Sequence, residues 1–214
     1  MIYIDITQAT PAGTEAAARE TARVLSEGGT AVFPTETVYG IGCLMSRPDA
    51  AERIYGIKRR DRSKPLPVMV DSPGRIGLAA ESHPALEVLA REYMPGPLTV
   101  ILPKKPSVPD IVCAGGDTVA LRIPDHPFLL TLLRILGEPI CATSANLSGR
   151  PAPSSFDLLD PEIRKAADIV INMGPAEIGS ASVILDLTGR EPRILREGTI
   201  SREALIRTLQ RIQS

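Results

Sequence analysis

Apolar and polar positions alternate from Ile2 to Ile6, the period of a short strand. From Thr14 to Glu27, Ala17, Ala18, Thr21, Val24 and Leu25 fall on one face of a helix. Thr14 caps it and Gly28-Gly29 ends it, because glycine tolerates the left-handed stop. Thr30 to Phe33 reads as a buried strand whose pairing ends at Pro34. Ser46 and Asp49 form a Ser-x-x-Asp capping pattern for a helix through Ile57. Leu66 to Val70 is the next strand. Ser72 and Ser82 each precede a short helical pattern, the second with Leu86, Leu89 and Ala90 on one face. Met94-Pro95-Gly96-Pro97 breaks it.

The second half repeats the interleaving. Leu98–Leu102, Thr118–Ile123, Ile140–Thr143, Ile169–Met173, Ser182–Leu187 and Ile194-Leu195 read as strands. Pro127–Leu136 is an apolar helix stopped by Gly137, and short helices lie near Phe156 and Pro161. Ser201 caps a last helix presenting Leu205, Ile206, Leu209 and Ile212 to the body. Such interleaving predicts an α/β layer structure. Several connections are too short for a helical crossover, so a twisted, open, mixed sheet with flanking helices is expected. The polar loop from Pro103 to Asp117 is the segment best placed to move as a flap.

The 214 residues suit one domain, 1–214, with 201–214 as its C-terminal helix. Aromatic residues make up 3% and Trp is absent, so the core must be aliphatic. A net charge of −1 excludes a general polycation and confines any nucleic-acid contact to a local patch. The N-terminus lacks the pattern of a signal peptide, and no apolar run approaches the ~18 residues of a membrane span. A cytoplasmic location is expected. Cys43, Cys113 and Cys141 are odd in number and widely spaced, as reduced buried thiols would be. His83 and His126 lack ligand spacing to any cysteine, which argues against zinc.

Candidate chemistry gathers where strands end. Phe33 leads to Thr35 and Thr37, Ile140 leads to Thr143, Ser144 and Asn146, and Ser182 opens a late strand. Singly, each can be a turn or helix cap. Together they suit a polar ligand beyond the strand ends of an open sheet. Lys58, Arg59, Arg60, Arg62 and Lys64 place five cations in seven positions. Such a run is usually a solvated face, but beside a sheet end it suits phosphate oxygens. Arg122 lies among apolar residues and requires an anionic partner, either a protein carboxylate or a substrate's. Neither Gly-x-x-x-x-Gly-Lys-Ser/Thr nor Gly-x-Gly-x-x-Gly occurs, nor a nucleophile elbow. His126, followed by proline at a helix start, reads as a local structural residue rather than a base.

Seven segments in this order resemble the YrdC-like family of threonylcarbamoyl-AMP synthases. They are Phe33-Pro34-Thr35-Glu36-Thr37-Val38-Tyr39-Gly40-Ile41-Gly42, Lys58-Arg59-Arg60 with Lys64-Pro65-Leu66, and Pro95-Gly96-Pro97-Leu98-Thr99. Next come Thr118-Val119-Ala120-Leu121-Arg122 and the run from Thr143 through Asn146 to Pro151. Ser182-Val183-Ile184-Leu185-Asp186 and Ile194-Leu195-Arg196-Glu197-Gly198 close the set. The resemblance implies a deep, positively charged cavity. It implies that L-threonine, bicarbonate and ATP, with Mg²⁺, give threonylcarbamoyl-AMP and pyrophosphate. A separate transferase complex would use the product on a tRNA adenosine beside the anticodon, and weak tRNA binding is compatible with this.

By motif, Thr37, Met69, Arg122, Ala142 and Ser182 would hold threonine, Ala142 through its backbone. Arg60, Lys64, Thr118, Ser144, Ala152 and Arg196 would hold ATP. Thr35, Lys58, Thr143 and Asn146 would line the site, and no protein side chain is expected to bind metal. Three departures from the family pattern touch this set: Ala181-Ser182-Val183 for Glu-Ser-Thr, Arg196-Glu197-Gly198 for Arg-Pro-Gly, and Met69 where His is frequent. Ending after one further helix, the chain looks like the single-domain form. Two other readings are an RNA-binding module using the basic cavity and a carbamoyl-adenylate-forming enzyme. Balanced charge and few stacking aromatics disfavour the first, and the chain's length disfavours the second.

Overall fold

Strands and helices alternate as the periodicity predicts, in the order β1 (Ile2–Asp5), α1 (Pro11–Ser26), β2 (Ala31–Phe33), β3 (Gly40–Leu44), α2 (Pro48–Lys58), β4 (Val68–Met69) and α3 (Leu86–Tyr93). There follow β5 (Leu98–Pro103), β6 (Thr118–Arg122), α4 (Pro127–Leu136), β7 (Ile140–Ser144), α5 (Pro161–Ala166), β8 (Ile169–Asn172), β9 (Val183–Asp186), β10 (Arg193–Arg196) and α6 (Arg202–Gln213). The computed structural model describes residues 1–213, the side chains of 212 and 213 excepted. Its strands join one mixed sheet, ordered β1-β8-β2-β3-β7-β4-β6-β5-β9-β10. The pairs β1/β8, β2/β8, β4/β6 and β5/β9 are parallel and the rest antiparallel.

The sheet's two faces are covered unequally. On one face Ile41, Cys43, Val68, Val100, Leu121 and Leu185 pack against Ile54 of α2, Leu89 of α3, Ile163 of α5 and Leu205 of α6. On the other, Phe33, Leu44, Met69, Ile140 and Ala142 pack under Leu25 of α1 and Leu132 of α4. Each fully buried Val, Leu, Ile or Phe among them contributes roughly 1.5–3 kcal/mol. The second cluster stops at β4. Past it, the alternate positions Thr118, Ala120 and Arg122 of β6, with Thr99 and Ile101 of β5, share a face without joining that core. Here the sheet has a polar floor.

Several boundaries differ from the sequence-based expectation. Thr10, not Thr14, caps α1, accepting from the Gly13 N–H at 3.3 Å, because Pro11 suits the first helical position. In α2 the Ser46–Asp49 capping pattern is not formed: Pro48 occupies the first position, so Asp49 falls one place early, and Arg47 caps without a side-chain bond. Gly40–Leu44 is a strand where the periodicity assigns no element. A Cβ on Gly42 would meet the Cys141 carbonyl at 2.9 Å and one on Gly40 the Phe33 ring at 3.2 Å, so close packing explains glycines that obscure the strand pattern. Ile206 of α6 is exposed, whereas Leu205 is buried and Leu209 partly so; the Ile212 side chain lies outside the described residues.

The 103–117 segment is not a loose flap. The Lys105 N–H donates to Ala79 and the Leu66 N–H to Val112, the Ser107 hydroxyl reaches the Leu78 carbonyl at 2.7 Å, and Val108 and Val112 enter the core. Cys43 and Cys141 face each other across β3 and β7 as free, buried thiols. No described helix is long and apolar enough to cross a membrane.

Candidate functional site

The β2–β3 connection, residues 34–39, is built on Thr35. Its hydroxyl accepts from the Thr37 and Val38 N–H groups at 3.0 and 3.1 Å and contacts the Val38 carbonyl and the Thr37 hydroxyl, each at 2.7 Å. Thr35 is therefore a turn residue rather than a ligand group. Tyr39 ties the connection down, its hydroxyl donating to the Gly174 carbonyl at 2.7 Å. The folded turn directs Thr37 and Glu36 onto Arg122 at the end of β6.

Arg122, 6% exposed, answers the question its position raised. Its Nη2 pairs with Glu36 Oε1, Nη1 donates to Thr37 Oγ1 at 3.0 Å, and Nε donates to the Gly96 carbonyl at 3.3 Å. The partner is thus a protein carboxylate. Glu36 itself is 3% exposed, and its Oε2 is buried without a partner. Met69 stands beside Arg122 in the β4/β6 register, with Thr99 on the opposite side in β5. The Thr99 hydroxyl bonds that of Ser182 at 2.8 Å, and Arg196 donates to the Ser182 carbonyl and hydroxyl at 2.9 and 3.1 Å. Burial and the nearby Arg122 lower the Arg196 pKa. Thr37, Met69, Arg122, Ser182 and Arg196 accordingly form one group.

A second group lies at the other end of β4 and β6. The β4 registers, carried back from Val68, bring Pro65 level with Ser144 on one side and Thr118 on the other. Thr118 is exposed and shares a face with Arg122, four residues or roughly 13 Å along the strand. Arg60 donates to the Lys64 and Pro65 carbonyls at 3.1 and 2.9 Å, and burial lowers its pKa. Two of its five N–H groups are engaged there. Lys64 is exposed. Ser144 donates to Asn146 Oδ1, and Asn146 braces the following loop through the Leu147 and Arg150 carbonyls at 3.0 and 2.7 Å. Asn146 and Ala152 share a cavity of about 390 Å³ beside that loop, with Ala152 exposed.

Lys58, expected to line the site, is turned into the protein. Its ammonium donates to the Ser144 carbonyl and, at 2.5 Å, to that of Asn146. Burial first and Arg60 second push its pKa down to about 7. Thr143 is half-buried on β7, opposite Ile41. Ala142 lies between the two groups. Its N–H donates to the Pro67 carbonyl at 2.8 Å, and its own carbonyl points to the same side, where proline has no N–H to return. That carbonyl stands available to a donor.

Sequence reasoning passed over Glu36 and Thr99. The signals were an acid between two threonines and a hydroxyl on the polar face of β5. His126 precedes α4 without capping it, and its Nδ1 is buried without a partner. Among the described residues no three His, Cys, Asp or Glu side chains gather as a metal site.

A family model described as telomere recombination, Sua5/YciO/YrdC, matches residues 23–198. The chain belongs to this family. A threonylcarbamoyl-AMP synthase from Pyrococcus abyssi is 36% identical over 196 residues, covering 91% of this chain and 58% of that protein. The chain thus spans little more than half of that relative. A putative threonylcarbamoyl-AMP synthase of Methanocaldococcus jannaschii is 35% identical, covering 84% of each. The crystal structure of Pyrococcus abyssi Sua5 complexed with L-threonine superposes with a TM-score of 0.90 at 34% identity, covering 98% of this chain and 61% of that one.

Proposed function

We propose that this chain is a threonylcarbamoyl-AMP synthase, joining L-threonine, bicarbonate and ATP into threonylcarbamoyl-AMP and pyrophosphate. The observation that carries the reading is the gathering of two polar groups on one sheet face, one at each end of β6. Relatives bearing that name add support. Arg122, Thr37, Ser182, the Ala142 carbonyl and Met69 take threonine. Arg60, Lys64, Thr118, Ser144 and Ala152 take ATP, with Thr143 and Asn146 between, and Arg196, which lies in the threonine group beside Ser182, reaches the phosphates from that side.

In this reading the cations make a deep, positively charged cavity. Threonine's amine combines with bicarbonate, releasing water, and a carbamate oxygen attacks the α-phosphorus as pyrophosphate leaves. Holding both reactants on one rigid face supplies most of the advantage, and cations oppose the developing charge. No protein nucleophile takes part. The hydroxyl, amide and guanidinium groups present fit phosphate oxygens rather than a cation, so Mg²⁺ would be carried by ATP and water and would neutralise phosphate charge. We place the reaction in the cytoplasm, in one domain spanning residues 1–214, with a separate tRNA-modifying transferase receiving the product. Pyrophosphate release tests the proposal. It is expected only with ATP, threonine and bicarbonate together, and turnover of equal rate without threonine overturns it.

A further inference from the structure

The sheet has two open edges, β1 and β10, and they are built differently. β10 carries Arg193 and Arg196, and its register with β9 shifts between Ile194 and Arg196. A charged, irregular edge of this kind discourages pairing with other chains. β1 has neither device. The run Met1-Ile2-Tyr3-Ile4-Asp5-Ile6 contains no proline, lysine or arginine, and its parallel register with β8 is unbroken. The Ile2 and Ile6 N–H groups donate inward to the Asp168 and Asn172 carbonyls at 2.7 and 2.8 Å. The alternating backbone groups of Tyr3 and Asp5 therefore point outward, and among the described residues no strand pairs with them. Beside this edge lies a groove of about 550 Å³ lined by Met1, Tyr3, Phe156, Arg164, Lys165 and Val170. Met1 and Tyr3 are 73% and 49% exposed, so the edge turns large apolar side chains to solvent. Arg164 stacks on the Phe156 ring at 5.1 Å, and neither it nor Lys165 pairs with a carboxylate among the described residues.

We propose that the β1 edge is an interface between two copies of this chain, in which β1 pairs antiparallel with β1 of the second copy about a two-fold axis at Tyr3. Self-complementarity selects that occupant. A centre at Tyr3 engages the outward backbone groups of Met1, Tyr3 and Asp5 on both copies, and it sets Asp5 of the partner subunit opposite Met1. Paired residues stand on the same face of a sheet. Tyr3 and Asp5 share the face that carries the groove, since the Tyr3 hydroxyl donates to Asp5 at 3.0 Å. The incoming carboxylate therefore arrives where Arg164 and Lys165 lack an acid, and the same contact is made in the other direction. Hydrogen bonds from Thr7 first, and from Tyr3, lower the Asp5 pKa and keep it charged. Tyr3 already packs on Phe156 with ring centroids 5.3 Å apart, and a second Tyr3 at the axis extends that apolar contact. β6 lies six strands from β1, roughly 29 Å at the usual strand spacing, so the polar groups at its ends stay open in the dimer. The interface is thus independent of the synthase reading.

Sedimentation velocity on the full chain tests this. Wild type is expected to run as a dimer at about 100 µM and to dissociate on dilution. Lys165→Glu sets like charges against each other at both symmetric contacts and should weaken the dimer by about tenfold or more, as should Asp5→Lys. An equimolar mixture of these two variants should recover the dimer, because each new charge then faces its opposite. Such recovery requires that the two positions meet across copies. Tyr3→Pro removes an outward N–H and the ring while leaving the inward β1/β8 bonds in place, and it should abolish the dimer. A wild type that stays monomeric overturns the interface, and if it takes up RNA or an acidic peptide in a Lys165-dependent way, the groove belongs to that occupant. A dimer indifferent to both Lys165→Glu and Tyr3→Pro also overturns it, and these two variants decide the matter if Asp5→Lys does not fold.

Discussion

The Lys58 ammonium lies 2.5 Å from the Asn146 carbonyl and also donates to that of Ser144, so the last residue of α2 pins the exit of β7. This contact fixes the loop carrying Ser144 and Asn146 against the helix that leads to Arg60 and Lys64. A buried amine among carbonyls also ties the site to pH.

With a folded pKa of about 7 against an ordinary 10.5, Lys58 is neutral in the folded chain while still charged in the unfolded one between those values. The unfolded state then binds more protons, so this group makes stability rise with pH across that window. Below pH ~7 both states hold the proton and the contribution is flat. Urea unfolding of wild type and Lys58→Met should show their difference shifting in favour of wild type by up to about 4 kcal/mol from pH 7 to 10. A shift of opposite sign would refute the assignment.

The Arg122–Glu36 pair makes a sharper stability prediction. Arg122→Ala leaves a buried carboxylate without its cation and should lose about 3–5 kcal/mol. Removing Glu36 as well should restore a large part of that loss, because no charge is then stranded. Threonine-dependent pyrophosphate release should be absent from both variants. Additive losses in the double variant would mean that the two side chains do not depend on each other.

Much of this was legible in the sequence, and the failures have physical causes. The helical faces of α1 and α4 and the buried strands follow from periodicity, which burial enforces. β3 was hidden because Gly40 and Gly42 carry no side chain to mark its alternation. The need of Arg122 for an anion was readable from its apolar neighbours. Which anion was not, since Glu36 reaches it across 86 positions of sequence through a turn set by Thr35 hydrogen bonds. Lys58 was placed in the right neighbourhood with the wrong aim, because a charge run does not reveal which of its members turns inward.

Gly198 offers a test of the late strands. A Cβ there would lie 2.7 Å from the Ala181 carbonyl oxygen, 2.8 Å from the Val183 nitrogen and 3.0 Å from the Ser182 carbonyl carbon. These are backbone atoms, so the segment after β10 must move away from Ser182. Gly198→Ala should disturb both Arg196–Ser182 bonds, raise the KM for threonine about tenfold and cost about 1–3 kcal/mol. Unchanged kinetics would show that Ser182 does not depend on this contact.

Gly56 should respond in the opposite direction. It lies within α2, exposed, with no atom within 4 Å of where a Cβ would stand and no positive φ. Alanine there removes conformational freedom from the unfolded chain and favours the helix, while Lys58 two positions on faces the interior. Gly56→Ala should therefore stabilise by about 0.4–1 kcal/mol and raise the Tm by roughly 1–4 °C, with kcat and KM unchanged. A gain in stability with lost activity would show that α2 must flex for turnover. A loss of stability would mean that Gly56 meets a neighbour absent from this structure.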